Sequence, residues 1–380
     1  MKPLSAPGLD GMSPIFFKSF WNTVGPDVIE ASLSVLNTGT MLENFNHTYI
    51  VLIPKIKNPE KPKDFRPISL CNVLYKLVAK TIANCLKKLM PKLVSELQSA
   101  FMSNRLISDN TLIAFETLHH LKSKRKGKTR YMALKLDMSK AYDRVEWLFF
   151  EKIIEKLGFD GKWISLIRAC ICSVSFSIMI NGEPHGHFHP QRGLRQGDPL
   201  SPYLFLLCAE GLHSLIKQAE LSGAIKGVSI NQFGPKVTHL FFANDSLLFA
   251  RADQHECSTI LDILGTYEQA SGQQINRDKT QLFFSSNIAP NIRDDIKALI
   301  GVTMSTHYEE YLGLPTFIGR AKKQSFMYIR ERIWHKLLGW KEKLLSQARR
   351  EVLIKVVLQA MPTYTMVSVS YDMRYVSYRV

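Results

Sequence analysis

Two apolar runs separated by only four residues constrain the fold of this chain more than any other feature of its sequence. Residues 237–242 and 247–250 are predicted strands, and the connecting segment Ala243-Asn244-Asp245-Ser246 is small and polar. Two strands joined by so short a connection form an antiparallel hairpin. The pattern therefore predicts a buried hairpin with polar side chains at its tip, although a turn alone explains Asn and Asp there equally well.

A third predicted strand ends in a carboxylate. Residues 131–137 alternate between apolar and more polar side chains, which is typical of a half-buried strand with Asp137 at its end. Asp137 and Asp245 thus occupy a strand end and a hairpin tip. Paired carboxylates suit Mg²⁺, a hard ion that prefers oxygen ligands. Two such ions can activate an attacking hydroxyl and stabilise a leaving phosphate.

The positive charge of the chain is concentrated in three blocks. The sequence has 49 Lys and Arg against 33 Asp and Glu, a net charge of +16. Residues 54–92 hold ten basic and two acidic side chains, 121–130 hold six and none, and 320–355 hold eleven and three. The rest of the chain is mildly acidic. This distribution favours a track for nucleic-acid phosphates over a set of solvated helix faces.

Several other classes of protein are disfavoured. No apolar stretch reaches the roughly 18 residues of a membrane span, and the start of the chain lacks the apolar core of a signal peptide. The six cysteines include no Cys-x-x-Cys pair, which favours free thiols in a reducing compartment. His185, His187 and His189 alternate on a predicted hairpin strand, but no fourth metal ligand is near. We interpret them as solvated or hydrogen-bonded.

Short motifs make the interpretation of the carboxylates much more specific. The main ones, in chain order, are Asp-Met-Ser-Lys-Ala-Tyr-Asp (137–143), Gly-Leu-Arg-Gln-Gly-Asp-Pro-Leu-Ser-Pro (193–202), Phe-Ala-Asn-Asp (242–245) and Tyr-Leu-Gly-Leu-Pro (311–315). Phe-Arg-Pro-Ile-Ser-Leu (65–70), Gln-Ser-Ala-Phe (98–101) and Ser271-Gly272 with Asn276 and Lys279 accompany them. Together they closely resemble the reverse transcriptase of LINE-type (non-LTR) retrotransposons, particularly those of plants, over about residues 6–367.

The resemblance implies an α+β fold of the right-handed polymerase type, with an antiparallel palm sheet and a helical thumb. We expect an N-terminal segment and fingers over residues 1–130, and a palm over 131–318 with an inserted finger hairpin at about 174–192. A partial helical thumb is expected over 319–380. The family usually has an endonuclease upstream and further segments downstream. We therefore expect a truncated copy.

The resemblance also implies roles for individual residues. Asp137 and Asp245 would bind the metal ions, and Lys279 would donate a proton to the departing pyrophosphate. Tyr142 would lie under the incoming sugar and disfavour a 2′-hydroxyl. Lys55 and Arg66 would grip the triphosphate. The remaining assignments are Gln196 and Gly197 for packing the nucleotide and template, and Tyr311, Leu312 and Gly313 for the primer grip.

One departure from the family pattern affects the chemistry. The family has Phe-Ala-Asp-Asp where this chain has Asn244 before Asp245, and the first of those aspartates bridges the two ions. A neutral amide with one coordinating oxygen cannot do so, and a loss of ~4 kcal/mol at the transition state is about a thousandfold in rate. The catalytic set is thus Asp137, Asn244, Asp245 and Lys279.

The expected activity is RNA-directed DNA synthesis with Mg²⁺, for which Mn²⁺ could substitute. The expected partners are an RNA template, a DNA primer and deoxynucleoside triphosphates, with no membrane. The resemblance implies an intracellular location, nucleus or cytoplasm, and the oligomeric state stays open. Two alternatives remain: a catalytically inactive protein that binds nucleic acid, and a non-functional relic of a retroelement.

Overall fold

The computed structural model describes residues 1, 3–42, 44–231, 234–302, 310–315, 327–341, 346–359 and 361. The helices are α1 (Pro14–Ser19), α2 (Trp21–Thr38), α3 (Val73–Leu93), α4 (Ile107–Ser123), α5 (Trp147–Lys156), α6 (Gly161–Cys172), α7 (Ser201–Leu221), α8 (Gln254–Ser271), α9 (Pro290–Ile300), α10 (Met327–Lys341) and α11 (Gln347–Leu353), followed by a π-helical turn (Ile354–Leu358). Among these helices, none combines the length and the apolarity that a membrane crossing requires.

The strands are short and fall into two larger sheets and several two-stranded pairs. They are β1 (His47–Pro54), β2 (Phe65–Cys71), β3 (Tyr131–Leu136), β4 (Met138–Ser139), β5 (Ser175–Ile180), β6 (Glu183–Phe188), β7 (Val228–Ser229), β8 (Lys236–Val237), β9 (His239–Phe242), β10 (Asp245–Arg251), β11 (Gln274–Ile275), β12 (Gln281–Phe284), β13 (Glu310–Tyr311) and β14 (Leu314–Pro315).

The first four-stranded sheet, which we call the central sheet, has the order β12-β3-β10-β9 and is antiparallel throughout. The predicted hairpin is its β9–β10 pair. Its connection is two residues, Ala243 and Asn244, because Asp245 already pairs with Phe242 as the first residue of β10. The prediction of a four-residue tip is therefore wrong. The reason is that the ladder of backbone hydrogen bonds extends to Asp245.

The central sheet is covered on both faces. Leu134 on β3 belongs to the large core shared with α5, α7 and α8, whereas Ala133 packs with Leu118 of α4 on the opposite face. Both β3 residues are at most 1% exposed. The prediction that residues 131–137 form a half-buried strand holds for Tyr131, Lys135 and Asp137, which are partly exposed, and fails at Ala133, which α4 covers.

The second four-stranded sheet, which we call the side sheet, has the order β2-β1-β5-β6. β1 pairs antiparallel with β2 and parallel with β5. The predicted hairpin β5–β6 is present, and its turn residues Asn181 and Gly182 both have positive φ, 53° and 89°. Positive φ at both positions is the type I′ pattern, which matches the right-handed twist of the strands.

Two predicted boundaries near the side sheet are wrong. The charges and prolines of residues 55–67 predict a loop, and the apolar spacing of residues 69–89 predicts a helix, but Phe65–Cys71 forms β2 and α3 begins at Val73. β2 forms because Phe65 to Cys71 pair in full register with Pro54 to Thr48 of β1. This long-range pairing stabilises a strand that the local sequence does not predict.

The region expected as a thumb is helical where it is described, in α10 and α11. Residues 319–326, 342–345, 360 and 362–380 of that prediction lie outside the described residues. The boundaries proposed between fingers, palm and thumb stay predictions.

Candidate active site

Asp137 and Asp245 lie side by side at one end of the central sheet. β3 and β10 are antiparallel neighbours, and Ser246 is the partner of Leu136. One step further along both strands, Asp245 therefore faces Asp137. Cβ atoms of directly opposed residues in such a pair are about 4.5–5.5 Å apart. Two half-buried carboxylates thus meet at the edge where β3 ends.

The electrostatics of this pair reflect its crowding. Burial raises the pKa of Asp245, the neighbouring Lys135 opposes that shift, and the charge of Asp137 raises the pKa further. Lys279 lies beside the pair, with its Nζ 4.0 Å from Oδ2 of Asp137. The backbone N–H of Asn276 donates to the carbonyl of Asp137 at 2.8 Å, which fixes the segment carrying Lys279 against the end of β3.

The turn before Asp245 has an unusual backbone. Ala243 has a φ of 54° and Asn244 is not in the left-handed region, which is the pattern of a type II′ turn. Glycine is favoured at the first position of that turn. The backbone N–H of Ala243 donates to Oε1 of the buried Gln98 at 3.0 Å, and that oxygen also accepts from the N–H of Ala100 at 3.0 Å. Gln98 therefore holds the turn from outside the hairpin.

A second group of predicted site residues lies in or around the loop before α7, residues 189–200. The ring of Tyr142 stacks on Phe205 with centroids 4.7 Å apart, and burial raises the pKa of Tyr142 to about 12. The carbonyl of Gln196 accepts from the backbone N–H of Ser69 at 2.8 Å. Gly197 has a φ of 110°, and a Cβ there would lie 3.0 Å from the carbonyl oxygen of Ser69. The loop thus lies directly against β2 of the side sheet.

This loop is anchored by a buried ion pair. Arg195 donates to Oδ2 of Asp198 at 2.8 Å, to Oγ1 of Thr48 and to the carbonyl of Cys170, both at 3.1 Å. Tyr75 donates its hydroxyl to the same Asp198 oxygen at 2.7 Å, and its ring lies 4.1 Å from the guanidinium carbon. The network joins α3, α6, β1 and the loop in one buried contact.

The predicted triphosphate residues lie on the side sheet. Lys55 is exposed just after β1 and its Nζ donates to the carbonyl of Lys63 at 2.9 Å. Burial raises the pKa of Asp143. Three effects oppose that shift: the charge of Lys140, a hydrogen bond from Gln196 and the charge of Lys55. Arg66 is exposed on β2, opposite Ile53. A cavity of about 250 Å³ lies between the side sheet and the loop, lined by Ser69, Asp143, Gln196 and their neighbours.

The predicted primer grip is a hairpin anchored to the central sheet. Leu312 and Gly313 form the turn between β13 and β14, both with positive φ. Tyr311 is 2% exposed, and its hydroxyl donates to Oδ1 of Asn110 at 2.7 Å. Nδ2 of Asn110 donates to the carbonyl of Phe241 at 2.9 Å, in the strand that leads into the Ala243 turn. One buried side chain therefore joins the two hairpins.

His187 on β6 and His189 directly after it form a separate cluster with His47 on the side sheet. His187 stacks on the buried His47 at 5.1 Å and is next to His189. Within the part of the chain that the structure describes, no group of three or more His, Cys, Asp or Glu side chains is arranged to hold a metal ion. His47 is held by the hydroxyls of Ser175 and Ser177.

The sequence reasoning assigned no role to Gln98, Asn110 or the Arg195–Asp198 pair. These residues are part of the motifs or lie between them. Arg195 and Asp198 are three residues apart, but the other partners are distant: Arg195 and Thr48 are 147 residues apart. Gln98 and Ala243 are 145 residues apart, and Asn110 and Phe241 are 131. The local sequence shows only that a polar residue lies in or near a motif. It does not indicate which distant group that residue contacts.

Comparison with known proteins identifies the family. Residues 53–328 match the family described as "Reverse transcriptase (RNA-dependent DNA polymerase)", and the chain belongs to it. It is 26% identical over 377 residues to an uncharacterized 149 kDa protein of transposon TX1 from Xenopus laevis, covering 96% of this chain and 27% of that protein. It is 27% identical over 278 residues to the Pol polyprotein of retrotransposable element R2DM from Drosophila melanogaster, covering 72% and 24%.

These matches make the chain a reverse transcriptase domain of the type found in the Pol polyproteins of non-LTR retrotransposons. The chain spans about a quarter of the length of these two relatives. Telomerase from Candida albicans, solved with a telomeric RNA fragment, aligns with a TM-score of 0.45 and 16% identity, over 94% of this chain and 60% of that one. The predicted α+β polymerase fold with an antiparallel central sheet is confirmed.

Proposed function

We propose that this chain catalyses RNA-directed DNA synthesis at the end of the central sheet, and that Asn244 reduces its rate. The observation that carries the proposal is the pairing of Asp137 with Asp245, with Lys279 4.0 Å from the first. The basic blocks of the sequence and the family membership support a nucleic-acid substrate. The plant origin of the element stays a prediction from its motifs.

The side chains at the site offer the type of ligand atom that Mg²⁺ prefers, namely oxygen. Asp137 and Asp245 supply hard carboxylate oxygens. Burial and, to a smaller extent, the charge of Asp137 raise the pKa of Asp245, and a nearby cation would oppose both effects. Bound there, Mg²⁺ would act as a Lewis acid on phosphate oxygens. Asn244 follows Ala243 in the turn and adds only a neutral amide oxygen. We infer that the site holds one negative charge fewer than a complete set.

The chain's own residues would do the remaining work. Lys279 is positioned to donate a proton to a departing phosphate group beside Asp137. Tyr142, held flat against Phe205, would exclude a 2′-hydroxyl from the incoming sugar. Gln196 and Gly197 would pack the nucleotide and template, while Lys55 and Arg66 would bind its phosphates. Tyr311–Gly313 would hold the primer. Asn110 bonds both Tyr311 and the carbonyl of Phe241, and would thereby fix the distance between the primer and Asp245.

Primer extension on an RNA template tests the proposal. We expect wild-type synthesis to be barely detectable with Mg²⁺ and partly restored with Mn²⁺, which tolerates imperfect ligands. Asn244→Asp restores the missing negative charge. It should raise the rate by about two to four powers of ten, ~3–5 kcal/mol at about 1.36 kcal/mol per decade.

Asp137→Asn in the Asn244→Asp background is the matched control, because it removes one charge from the same site. It should abolish the gain. If Asn244→Asp produces no synthesis in a folded sample that binds RNA, the chain is a nucleic-acid-binding protein without catalysis. If the purified chain does not fold, it is a relic.

A further inference from the structure

The exposed face of α3 carries only positive charge. Its five lysines, Lys76, Lys80, Lys87, Lys88 and Lys92, are accompanied by no Asp or Glu within the helix. The spacing places them on the side opposite Val78, Ile82 and Leu86, which are at most 1% exposed in the core. At about 1.5 Å per residue the row is roughly 24 Å long.

These lysines are not neutralised within the described part of the chain. None of the five forms an ion pair with a described carboxylate. Lys76 is half-buried and donates to the carbonyl of Ala6 at 3.2 Å, whereas the other four are exposed. A row of like charges on one rigid helix is unfavourable by itself. The unfavourable repulsion would be relieved by a polyanion.

We propose that the lysine face of α3 binds the sugar–phosphate backbone of RNA, as a surface separate from the Asp137 site. A band of ammonium groups that extends along the exposed half of a helix matches several successive phosphates and not a single nucleotide. The inference rests on the proposed function only in taking RNA as the polyanion. The contacts are sequence-independent, because lysine side chains on this face reach phosphates and not base edges.

An anionic membrane fits this face less well. Helices that bind membrane surfaces place apolar side chains beside their lysines so that both enter the interface. The apolar side of α3 is instead buried against the core, and Leu89, 44% exposed, is the large apolar residue that it leaves at the surface. Exposed apolar side chains do lie beside the N-terminal end of α3, where Trp21 lines a cavity with Val73 and Leu77. From Lys80 to Lys92, however, Leu89 is the one exposed large apolar residue of the helix, which favours the hydrated backbone of a nucleic acid.

The test measures binding of the full chain to a fluorescein-labelled RNA hairpin, without primer or nucleotides, at several salt concentrations. The variant is the triple substitution Lys80→Gln, Lys87→Gln and Lys88→Gln. Its matched control is Lys156→Gln, Lys162→Gln and Lys226→Gln, which removes the same charge from exposed lysines elsewhere. Circular dichroism checks that both stay folded.

We expect the α3 variant to bind RNA at least about tenfold more weakly than wild type near physiological salt, with a salt slope smaller by roughly two to three. The control should bind nearly as wild type does. Equal weakening in both variants would show that only net charge matters and would overturn the inference. No RNA binding by the wild-type chain would instead overturn the proposed function.

Cys85 supplies a direct readout on the same helix. It is the exposed one of the six cysteines, three residues before Lys88. RNA should slow its alkylation by N-ethylmaleimide in the wild-type chain and not in the α3 variant. Unchanged alkylation in a saturated wild-type complex would contradict binding at this face, as would protection by anionic phospholipid vesicles but not by RNA.

Discussion

Oε1 of Gln98 accepts a hydrogen bond from the backbone N–H of Ala243 at 3.0 Å. Ala243 is the turn residue directly before Asn244. Ala243 has a φ of 54°, a sparsely populated conformation that costs a residue with a Cβ roughly 1–3 kcal/mol. Two backbone contacts support the same region, from Ser99 N–H to the Phe241 carbonyl and from Phe241 N–H to the Leu97 carbonyl. The strained turn beside the carboxylates is therefore held by a segment outside the central sheet.

Replacing Gln98 by Met keeps its volume and removes the acceptor. The buried N–H of Ala100 and the half-buried N–H of Ala243 then lose their acceptor, so we expect the free energy of unfolding to fall by about 2–4 kcal/mol. Urea denaturation measures the loss. In the Asn244→Asp background, synthesis should fall by more than tenfold while RNA binding is unchanged. Gln254→Met, at an exposed position, is the control and should leave both properties near wild type.

Glu210 makes stability depend on pH. Burial raises its pKa to about 7, against the opposing effects of the Ser95 N–H and Arg105. Between the ordinary value of 4.5 and about 7, the folded chain binds a proton that the unfolded chain has released. Stability from this group is therefore present at low pH and is lost as the pH rises through that window.

The variant Glu210→Gln keeps an acceptor for Ser95 and removes the charge. Relative to wild type, it should raise the free energy of unfolding by about 1–3 kcal/mol at pH 8 and change it little at pH 5. Thermal unfolding at both pH values measures the difference. Glu30→Gln, at an exposed position, is the control for removing one negative charge. A gain for Glu210→Gln that is equal at both pH values would refute the assignment.

Alanine substitutions at Gly197 and Gly223 distinguish two costs: backbone strain at positive φ, and a clash between the added Cβ and a neighbouring atom. Both have positive φ, 110° and 77°, but a Cβ at Gly197 would meet the Ser69 carbonyl at 3.0 Å whereas Gly223 has open space. Alanine at Gly223 should cost about 1 kcal/mol of stability from strain alone. Alanine at Gly197 should cost about 1–2 kcal/mol more, because the loop must move away from β2. Chemical denaturation of the two variants, compared directly, measures this difference.

The Arg195–Asp198 pair should show strong coupling. Arg195→Met leaves Asp198 buried without its partner and should cost about 3–5 kcal/mol. Asp198→Asn should also destabilise, since the guanidinium is then uncompensated. The double variant should be less destabilised than the two single variants together, by about 1–3 kcal/mol. Additive effects in denaturant unfolding would show that Arg195 acts through Thr48 and Cys170 instead.

The elements that the sequence predicted well have a strong local signal. β3 follows from its alternation, and the β5–β6 hairpin follows from Asn181-Gly182, which supplies two positive φ values. β2 was missed because Pro67 and flanking charges disfavour a strand locally. Its stability comes from pairing with β1, and the same pairing explains why α3 begins at Val73.

In the candidate site, too, the residues with a strong local signal were predictable and those that depend on distant partners were not. The sequence placed Asp137 at a strand end and Asp245 at a hairpin tip, since both follow from strand patterns, whereas the structure has Asp245 paired with Phe242 directly after the turn. The residues that hold the site were not predictable, because their partners are distant along the chain. Asn110 meets Tyr311 across 201 residues, and Arg195 meets Thr48 across 147. Only the folded chain shows which polar side chain satisfies which backbone group.

β1 is made well before the strand that completes its sheet. Thr48 pairs in parallel with Phe176, and β2 covers only the other edge of β1. At about 5–20 residues per second, the ribosome leaves the backbone N–H and C=O groups on this edge of β1 unpaired for roughly 6–25 s. Such an edge on neighbouring nascent chains pairs readily with its own copies. The yield of soluble protein should therefore depend on how quickly residues 175–180 follow, and on chaperones that occupy β1 until then.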